Sequence, residues 1–247
     1  MKLKSYLKCA LSIVLVSIHP MSYGAIALDR TRIIFNGSSS SVSLVIQNKN
    51  QDLPFLVQTW LENAEHEKIK SPFMVLPPIQ RLEPIQSSQI RIEALEKKID
   101  QLPQDRESLF YFNLRELPPK SDKPNSIQFA LQNKLKLFYR PTSIMLSSTE
   151  LLQNPWQEKL EIIKQDQKVI VRNPTPYFTT ILSIQPENIK LKATDSLMLS
   201  PYSEAEVAMN AQDLGEFPSL TYINDLGGTP KIKYQCHIDL CKMLESQ

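Results

Sequence analysis

Hydrophobic and polar residues alternate with a period of two in many short segments of the chain, and helical periodicity is scarce. Such alternation is typical of strands that bury one face. In the first half it predicts strands at residues 42–47, 53–60, 89–92 and 108–115. Segment 93–102 is ambiguous, because Leu95 and Ile99 are four residues apart and could share one face of a helical turn.

The longest alternating run covers residues 126–139, and apolar side chains occupy six of its seven odd-numbered positions. A strand of that length would reach roughly 45 Å, whereas strands usually have about five or six residues. The pattern leaves two interpretations open. The apolar residues could be ordinary core, or they could form an exposed edge that pairs with another chain.

Arg140 and Pro141 end this run, because proline cannot continue a hydrogen-bonded ladder. The second half restarts with shorter strand patterns at residues 160–164, 168–171, 178–184, 205–209 and 219–224. Turns rich in proline, asparagine and glycine at residues 173–176 and 225–230 separate them. We therefore expect an all-β protein of two β-sandwich domains, each with about seven short strands. We place the domains at residues 25–142 and 143–247.

The N-terminus has the pattern of a secretory signal peptide. A basic start is followed by an uncharged, mostly apolar stretch at residues 9–18, which is too short to span a bilayer. Ser22 and Gly24 are small residues at positions −3 and −1 of a cut before Ala25, and cleavage after Ala27 is the alternative. We predict that residues 1–24 are removed during export and that no later segment inserts into a membrane.

Removal of this segment changes the charge balance. The chain has 28 basic and 26 acidic residues, and three of the lysines lie within residues 1–24, which leaves 25 basic against 26 acidic residues. Without a global positive field, nucleic acid is not expected as a partner.

Cysteine usage agrees with export. Cys9 leaves with the signal peptide, and Cys236 and Cys241 remain as an even pair, which predicts one disulfide in an oxidising compartment. A metal site that includes the adjacent His237 is the alternative, but it lacks a third and fourth ligand nearby.

Motifs for catalysis are missing from the sequence. Glycine occurs only five times, so there is no glycine-rich phosphate loop, and no serine lies in a nucleophile-elbow context. After export only His66 and His237 remain as histidines. We therefore expect neither enzymatic activity nor a cofactor or metal. The alternatives are an exported adhesin-like or carbohydrate-binding sandwich, and a hydrolase on a sandwich scaffold.

Several motifs in order along the chain resemble the periplasmic pilus-assembly chaperones of the chaperone/usher pathway. They are LDRTR at residues 28–32, PPIQRLEP at 77–84, DRESLFYFNLRE at 105–116 followed by LPP, KLFYRP at 136–141, NPTPY at 173–177 and YIND at 222–225. The resemblance covers nearly all of residues 25–247. It implies two immunoglobulin-like domains at an angle, with a cleft between them that holds a pilus subunit.

The resemblance also implies roles for particular residues. Arg32 and Lys136 would anchor the C-terminal carboxylate of the subunit. A donor-strand motif would insert into a pilin that lacks its last strand, and it corresponds to Ile127, Phe129 and Leu131. By strict alternation Lys136 faces the opposite side from these three residues, so that a twist or bulge between them is one option.

Two structural features follow from the same resemblance. Glu107, Arg140 and Asp225 would form a charge cluster between the domains, and Cys236 and Cys241 match the disulfide of the second domain. The short segment 118–125 resembles the short-loop branch of the family. The implied partners are pilin subunits, an adhesin and an outer-membrane usher, in the periplasm and without a cofactor. When it is free, such a chaperone could self-associate to cover its exposed edge.

Overall fold

The computed structural model describes residues 25–121, 124–125, 127–188 and 192–244. The predicted signal peptide, residues 1–24, lies outside the described residues. The described chain is almost entirely β-structure and forms two β-sandwiches in sequence. The expectation of an all-β protein with two immunoglobulin-like domains is therefore confirmed.

The first sandwich has ten strands and one short helix, α1, at Glu96–Ile99. The strands are β1 Ile26–Leu28, β2 Arg32–Asn36, β3 Ser41–Asn48, β4 Phe55–Glu62, β5 Lys68–Ile69, β6 Phe73–Leu76, β7 Ile79–Leu82, β8 Ser87–Ala94, β9 Ser108–Leu117 and β10 Gln132–Arg140. One sheet has the order β1-β3-β8-β6, and the other has the order β2-β10-β9-β4-β5 with β7 beside β4. The sandwich has more strands than the expected seven because several short segments, such as β5 and β7, form separate strands that pair with longer ones.

The N-terminal segment crosses from one sheet to the other. β1 pairs antiparallel with β3, whereas β2 pairs parallel with β10 and aligns Arg32 with Lys136. Between them lie Asp29, Arg30 and Thr31. The two layers are thus tied by one continuous stretch of chain, which positions Arg32 beside the last strand of the sandwich.

Alternation along the strands of both layers produces the core of the first sandwich. Each central strand contributes apolar side chains from one face, as the two-residue period predicts. The side chains without solvent exposure in this core include Ile33, Phe35, Leu44, Ile46, Val57, Phe73, Ile90, Ile92, Phe112, Leu114 and Leu137.

A connector with two 3-10 turns, Thr142–Ile144 and Trp156–Lys159, leads into the second sandwich. Between the turns lies helix α2, Ser148–Gln153, which begins with a capping box between Ser147 and Glu150. The predicted domain boundary after residue 142 falls within the first turn. The first turn contacts both sandwiches, because Ser143 Oγ donates to the Gln104 carbonyl and the Ile144 carbonyl accepts from the Tyr177 hydroxyl at 2.7 Å.

The second sandwich has eight strands in the order β14-β13-β16-β17-β18-β11-β12-β15. They are β11 Glu161–Gln165, β12 Lys168–Asn173, β13 Thr179–Gln185, β14 Leu197–Leu199, β15 Ser203–Asn210, β16 Ser219–Ile223, β17 Lys231–His237 and β18 Leu240–Met243. The first part of β17 pairs with β16 and its second part pairs with β18, so this strand connects the two layers.

The expected disulfide is confirmed, because the Sγ atoms of Cys236 and Cys241 are 1.96 Å apart. The two cysteines are direct cross-strand partners in the β17–β18 hairpin. Both are buried within the second core, which also contains Ile162, Val169, Val171, Ile184, Leu220 and Tyr234.

The prediction of one strand over residues 126–139 is wrong at its start, because β10 begins only at Gln132. The β9–β10 register runs from the pair Arg115–Gln132 to the pair Ser108–Tyr139. Continuing it backwards would place Phe129 opposite Pro118. Proline has no N–H to donate, and β9 ends one residue before it, so the ladder stops there.

Among the described residues, no helix has the length and apolar character needed to cross a membrane.

Candidate functional site

Residues 127–131 form an exposed apolar segment that we call the apolar edge. The side chains of Ile127, Phe129 and Leu131 are 82%, 76% and 47% exposed. Large apolar side chains exposed side by side are unusual on a soluble domain and mark surfaces that bind partners. The interpretation of these three residues as core is therefore wrong, and the edge interpretation fits their exposure.

The apolar edge continues the row of β10 side chains that fills the first core. Leu135 and Leu137 have the same odd-numbered parity and are buried in that core. The pairing of β10 with β9 has no bulge between Gln132 and Tyr139. The apolar residues just before β10 thus share the parity of its buried row but are exposed. Beside it lies an open groove of about 1000 Å³, lined in part by Ile26, Leu28 and Leu131.

Lys136 and Arg32 lie side by side on the other face of β10 and on β2. They are direct partners in the parallel pairing. The β9–β10 register has no shift between Gln132 and Tyr139, so no bulge interrupts β10 around Lys136. The Arg32 side chain donates from Nη1 to the Ile223 carbonyl at 3.2 Å, and its Nε atom is buried without a hydrogen-bond acceptor. Among the described residues, neither cation has a carboxylate partner within 4.0 Å.

The electrostatics of this cation pair favour an added anion. Burial lowers the pKa of the Lys136 ammonium, and the adjacent Arg32 charge lowers it further. Burial also lowers the pKa of Arg32, although Asp225 and Glu107 partly oppose this effect. Two partly desolvated cations with an unused donor form a site where a carboxylate would gain short, charge-assisted hydrogen bonds.

Thr180 belongs to the site and was missed in the sequence. It lies on β13 of the second sandwich, and its hydroxyl Oγ1 accepts a hydrogen bond from Lys136 Nζ at 3.0 Å. The residues are 44 positions apart, and threonine is common in strands, so no sequence signal pointed to the contact. Lys136 therefore reaches across the cleft and touches both sandwiches.

We expect Thr180→Val to lower the free energy of unfolding by about 1 kcal/mol, because it removes the hydrogen-bond partner of a partly buried ammonium. Thr180→Ser keeps the hydroxyl and should retain most of the stability. Urea denaturation of both variants measures the difference. Equal stability of the valine and serine variants would contradict a role for the hydroxyl.

Glu107, Arg140 and Asp225 form a charge cluster between the sandwiches. Arg140 donates from Nε to Glu107 Oε1 and from Nη1 to Asp225 Oδ2, each at 2.8 Å. The other Glu107 oxygen accepts the Phe178 N–H at 2.7 Å. Arg140 and Glu107 are each only 3% exposed, and burial opposes the charge of Arg140, but the two carboxylates raise its pKa. The guanidinium thus binds one carboxylate from each sandwich.

Aromatic contacts lie against the same joint. The Phe138 and Phe178 rings stack with their centroids 5.6 Å apart, and the Arg140 guanidinium lies 4.9 Å from the centre of the Tyr177 ring. A cation over an aromatic face adds attraction, especially where water is excluded. These contacts and the charge cluster together fix the two sandwiches around the cleft.

The alternative metal site is not supported by the described part of the chain, where no three His, Cys, Asp or Glu side chains come close enough to hold an ion. Cys236 and Cys241 are joined to each other. His237 is exposed on β17, and His66 Nδ1 contacts Lys134 Nζ at 3.0 Å in the other sandwich.

The fold and the site define a two-domain immunoglobulin-like protein with an exposed apolar edge and a cation pair in its cleft. Two family models match the chain. They are the pili and flagellar-assembly chaperone PapD N-terminal domain, over residues 25–145, and the pili assembly chaperone PapD C-terminal domain, over residues 155–234. The chain therefore belongs to the PapD family of pilus-assembly chaperones.

Curated relatives agree over nearly the full chain. The chaperone protein PapD of Escherichia coli is 43% identical over 222 residues, which are 89% of this chain and 90% of PapD. The chaperone protein PmfD of Proteus mirabilis is 39% identical over 237 residues, which are 94% of this chain and 91% of PmfD. These relatives confirm the family that the sequence motifs indicated.

Solved structures show the same architecture. The complex of the SafA pilin with the SafB chaperone of Salmonella enterica matches with a TM-score of 0.71 at 25% identity, over 87% of this chain and 98% of that chain. The CupB2 chaperone of Pseudomonas aeruginosa matches with a TM-score of 0.70 at 27% identity, over 85% of this chain and all of that chain. The two-sandwich fold is therefore shared with pilus chaperones.

Proposed function

We propose that this protein is a periplasmic chaperone that binds pilin subunits by donating its apolar edge as a missing strand. The observation that carries the proposal is the row of exposed side chains of Ile127, Phe129 and Leu131, which continues the buried row of β10. In the solved SafA–SafB complex a pilin is bound to a related chaperone, which supports pilin subunits as the partner class.

Strand donation follows from the geometry of the apolar edge. The backbone of residues 127–130 is outside the ladder of β9, so its polar groups can pair with a partner strand. Main-chain hydrogen bonds supply affinity, and alternate side chains fill pockets along the partner. Burial of a Phe, Ile or Leu side chain contributes about 1.5–3 kcal/mol relative to exposure. An incomplete pilin core would gain this burial from the edge.

The cation pair is proposed to set the register of the partner. A C-terminal carboxylate bound by Arg32 and Lys136 would stop the partner chain beside the middle of β10. The partner residues would then run along β10 toward Leu131 and the apolar edge, so that their side chains meet fixed positions. No bond is made or broken in this process, and we propose a binding function and no enzymatic activity.

The same proposal includes the cellular setting. We infer that the chaperone is exported to the periplasm, binds both structural pilins and an adhesin subunit, and delivers them to an outer-membrane usher. The transfer would replace the donated apolar edge with a strand from another subunit. The supporting observations are family membership and the signal-like residues 1–24.

We expect Phe129→Ser to weaken subunit binding by roughly ten- to hundred-fold, because a large apolar side chain can no longer fill the pilin groove. The side chain is 76% exposed in the free protein, so the melting temperature should stay nearly unchanged. Titration of a purified pilin by calorimetry measures the affinity.

The matched control for this variant is Ile238→Ser, which removes a 91% exposed apolar residue from the β17–β18 turn and should leave binding unchanged. A large fall in the melting temperature of Phe129→Ser would show that Phe129 packs within the free protein, against the proposal.

The function is tested by periplasmic co-expression with pilin subunits and affinity capture. We expect a one-to-one complex with the wild type. No complex with Lys136→Ala is expected, whereas Lys168→Ala, which removes an exposed lysine of the second sandwich, should behave like the wild type. If no pilin is captured by the wild type, the chaperone function is excluded and an adhesin-like binding module becomes the better hypothesis.

A further inference from the structure

Glu116 carries a carboxylate at a position of β9 where the alternation of the strand places core residues. On β9 it follows Phe112 and Leu114 on the same face, and both of these are fully buried. Its cross-strand partner on β4 is the fully buried Val57. Glu116 itself is only 3% exposed. A buried carboxylate is costly unless hydrogen bonds or an opposite charge compensate it.

The compensating groups come from the first residues after the predicted cleavage site. Glu116 Oε2 accepts the Ile26 N–H at 2.6 Å, and Glu116 Oε1 accepts from the Ala25 nitrogen at 3.2 Å. Among the described residues, no Lys, Arg or His side chain forms an ion pair with Glu116. The buried negative charge therefore has only backbone donors while Ala25 remains inside a longer chain.

Ala25 is held in place on its other sides as well. Its carbonyl accepts the Lys49 N–H at 2.6 Å, and its methyl group packs against the first core. β1 then continues the pairing with β3 from Ile26. The Ala25 nitrogen is thus directed at the carboxylate by contacts that do not depend on the residues before it.

We propose that removal of residues 1–24 turns the Ala25 nitrogen into an ammonium group that forms a buried ion pair with Glu116 and fastens β1 to the first sandwich. Hydrolysis of the Gly24–Ala25 bond by a signal-peptide hydrolase consumes one water molecule. The water oxygen becomes part of the Gly24 carboxylate, and the Ala25 nitrogen takes up the protons. A free α-amino group has a pKa of about 7.7–8.0, so it is mostly charged at neutral pH.

This ion pair would lie next to residues that line the groove beside the apolar edge. The Glu116 backbone N–H donates to the Leu131 carbonyl at 2.9 Å, which fixes the end of the apolar edge. Ile26 of β1 and Leu131 both line the groove. Glu116 therefore connects the two walls of the groove. Its side chain accepts hydrogen bonds from Ala25 and Ile26, and its backbone N–H donates to Leu131 at the end of the apolar edge. Removal of residues 1–24 would complete this connection by adding the ion pair. The inference does not depend on the identity of the bound partner.

The first measurement is the N-terminal residue of the exported protein, obtained from its intact mass. We expect a chain that begins at Ala25. A chain that begins at Leu28, as cleavage after Ala27 would give, overturns the proposal because Ala25 is then absent.

The second measurement compares the mature chain with a chain that carries one extra serine before Ala25, which converts the ammonium into an amide. The extended chain should melt several degrees lower at pH 6–7. An amine that is paired in the folded state has a raised pKa, so its stabilisation is complete below the unfolded pKa and disappears as pH rises through the folded value. The difference in melting temperature should therefore shrink as pH rises above about 8 and disappear once pH exceeds the raised folded-state value.

The control for charge is Glu116→Gln in both chains. In this background the serine extension should have little effect at any pH, because the carboxylate partner is gone. Arg30 and Lys49, the cations that line the same groove, are unchanged in all four proteins and act equally on each. If Glu116→Gln does not fold, the two chains with Glu116 still decide. Equal melting temperatures, or a difference that is constant with pH, overturn the ion pair.

Discussion

Lys136→Ala is expected to abolish measurable capture of pilin subunits. Removing one partner of a buried, hydrogen-bonded charge pair costs about 2–5 kcal/mol in binding, which corresponds to roughly 30- to several thousand-fold in affinity. Lys136 and Arg32 are cross-strand partners, and each is partly desolvated before a ligand arrives. Their combined attraction for a carboxylate is therefore greater than that of exposed lysines, and losing either should be decisive.

The fold should tolerate this change. Burial and the Arg32 charge both lower the pKa of Lys136, so its charged form is disfavoured in the folded protein relative to an exposed lysine. Removing that charge relieves repulsion, although the hydrogen bond to Thr180 is lost as well. We expect Lys136→Met, which keeps the apolar stem, to unfold at nearly the same denaturant concentration as the wild type.

Arg32→Ala provides the second half of the test. It should also prevent capture, whereas Lys168→Ala should not, and calorimetry with one purified pilin gives the affinities. If Lys136→Ala and Arg32→Ala bound the pilin as tightly as the wild type, the anchor would have to lie elsewhere. Strand donation by the apolar edge could still hold in that case, because it is tested separately by Phe129→Ser.

Arg140→Ala is expected to cause the largest loss of stability, about 3–5 kcal/mol in the free energy of unfolding. The guanidinium is 3% exposed and makes 2.8 Å contacts with Glu107 and Asp225. Its removal leaves two carboxylates close together without a cation, and Glu107 is itself almost fully buried. Urea denaturation measures the loss, and two separate transitions are expected because the sandwiches lose their main polar joint.

The matched control is Arg172→Ala in the second sandwich. Arg172 contacts Glu161 at 3.5 Å and Glu204 at 3.2 Å, but its side chain is 48% exposed. Exposed pairs of this kind contribute about 0–1 kcal/mol. If Arg140→Ala cost no more than Arg172→Ala, the buried cluster would have no special role in joining the sandwiches.

The sequence alone determined features that depend on local alternation. Strands such as β3, β4 and β9 follow from the two-residue period of a strand, as do the shared parity of the apolar edge and Leu137 and the opposite facing of Lys136. Shorter strands such as β1, β5 and β14 were not predicted. The motifs also indicated the family, which the matches over residues 25–145 and 155–234 confirm. Membership of the core is different, because burial depends on which distant segments cover a face.

Where the alternating run stops being a strand depends on pairing with distant segments. The β9–β10 ladder runs only from Gln132 to Tyr139 and two prolines follow β9, whereas the sequence pattern of residues 126–139 shows no break at Gln132. Likewise, Thr180 meets Lys136, and Glu116 meets Ala25, because separate segments of chain fold against each other. Alternation predicts on which face of the sheet a side chain lies. Which residue it contacts across a cleft or a sheet depends on packing between segments that are far apart in the sequence.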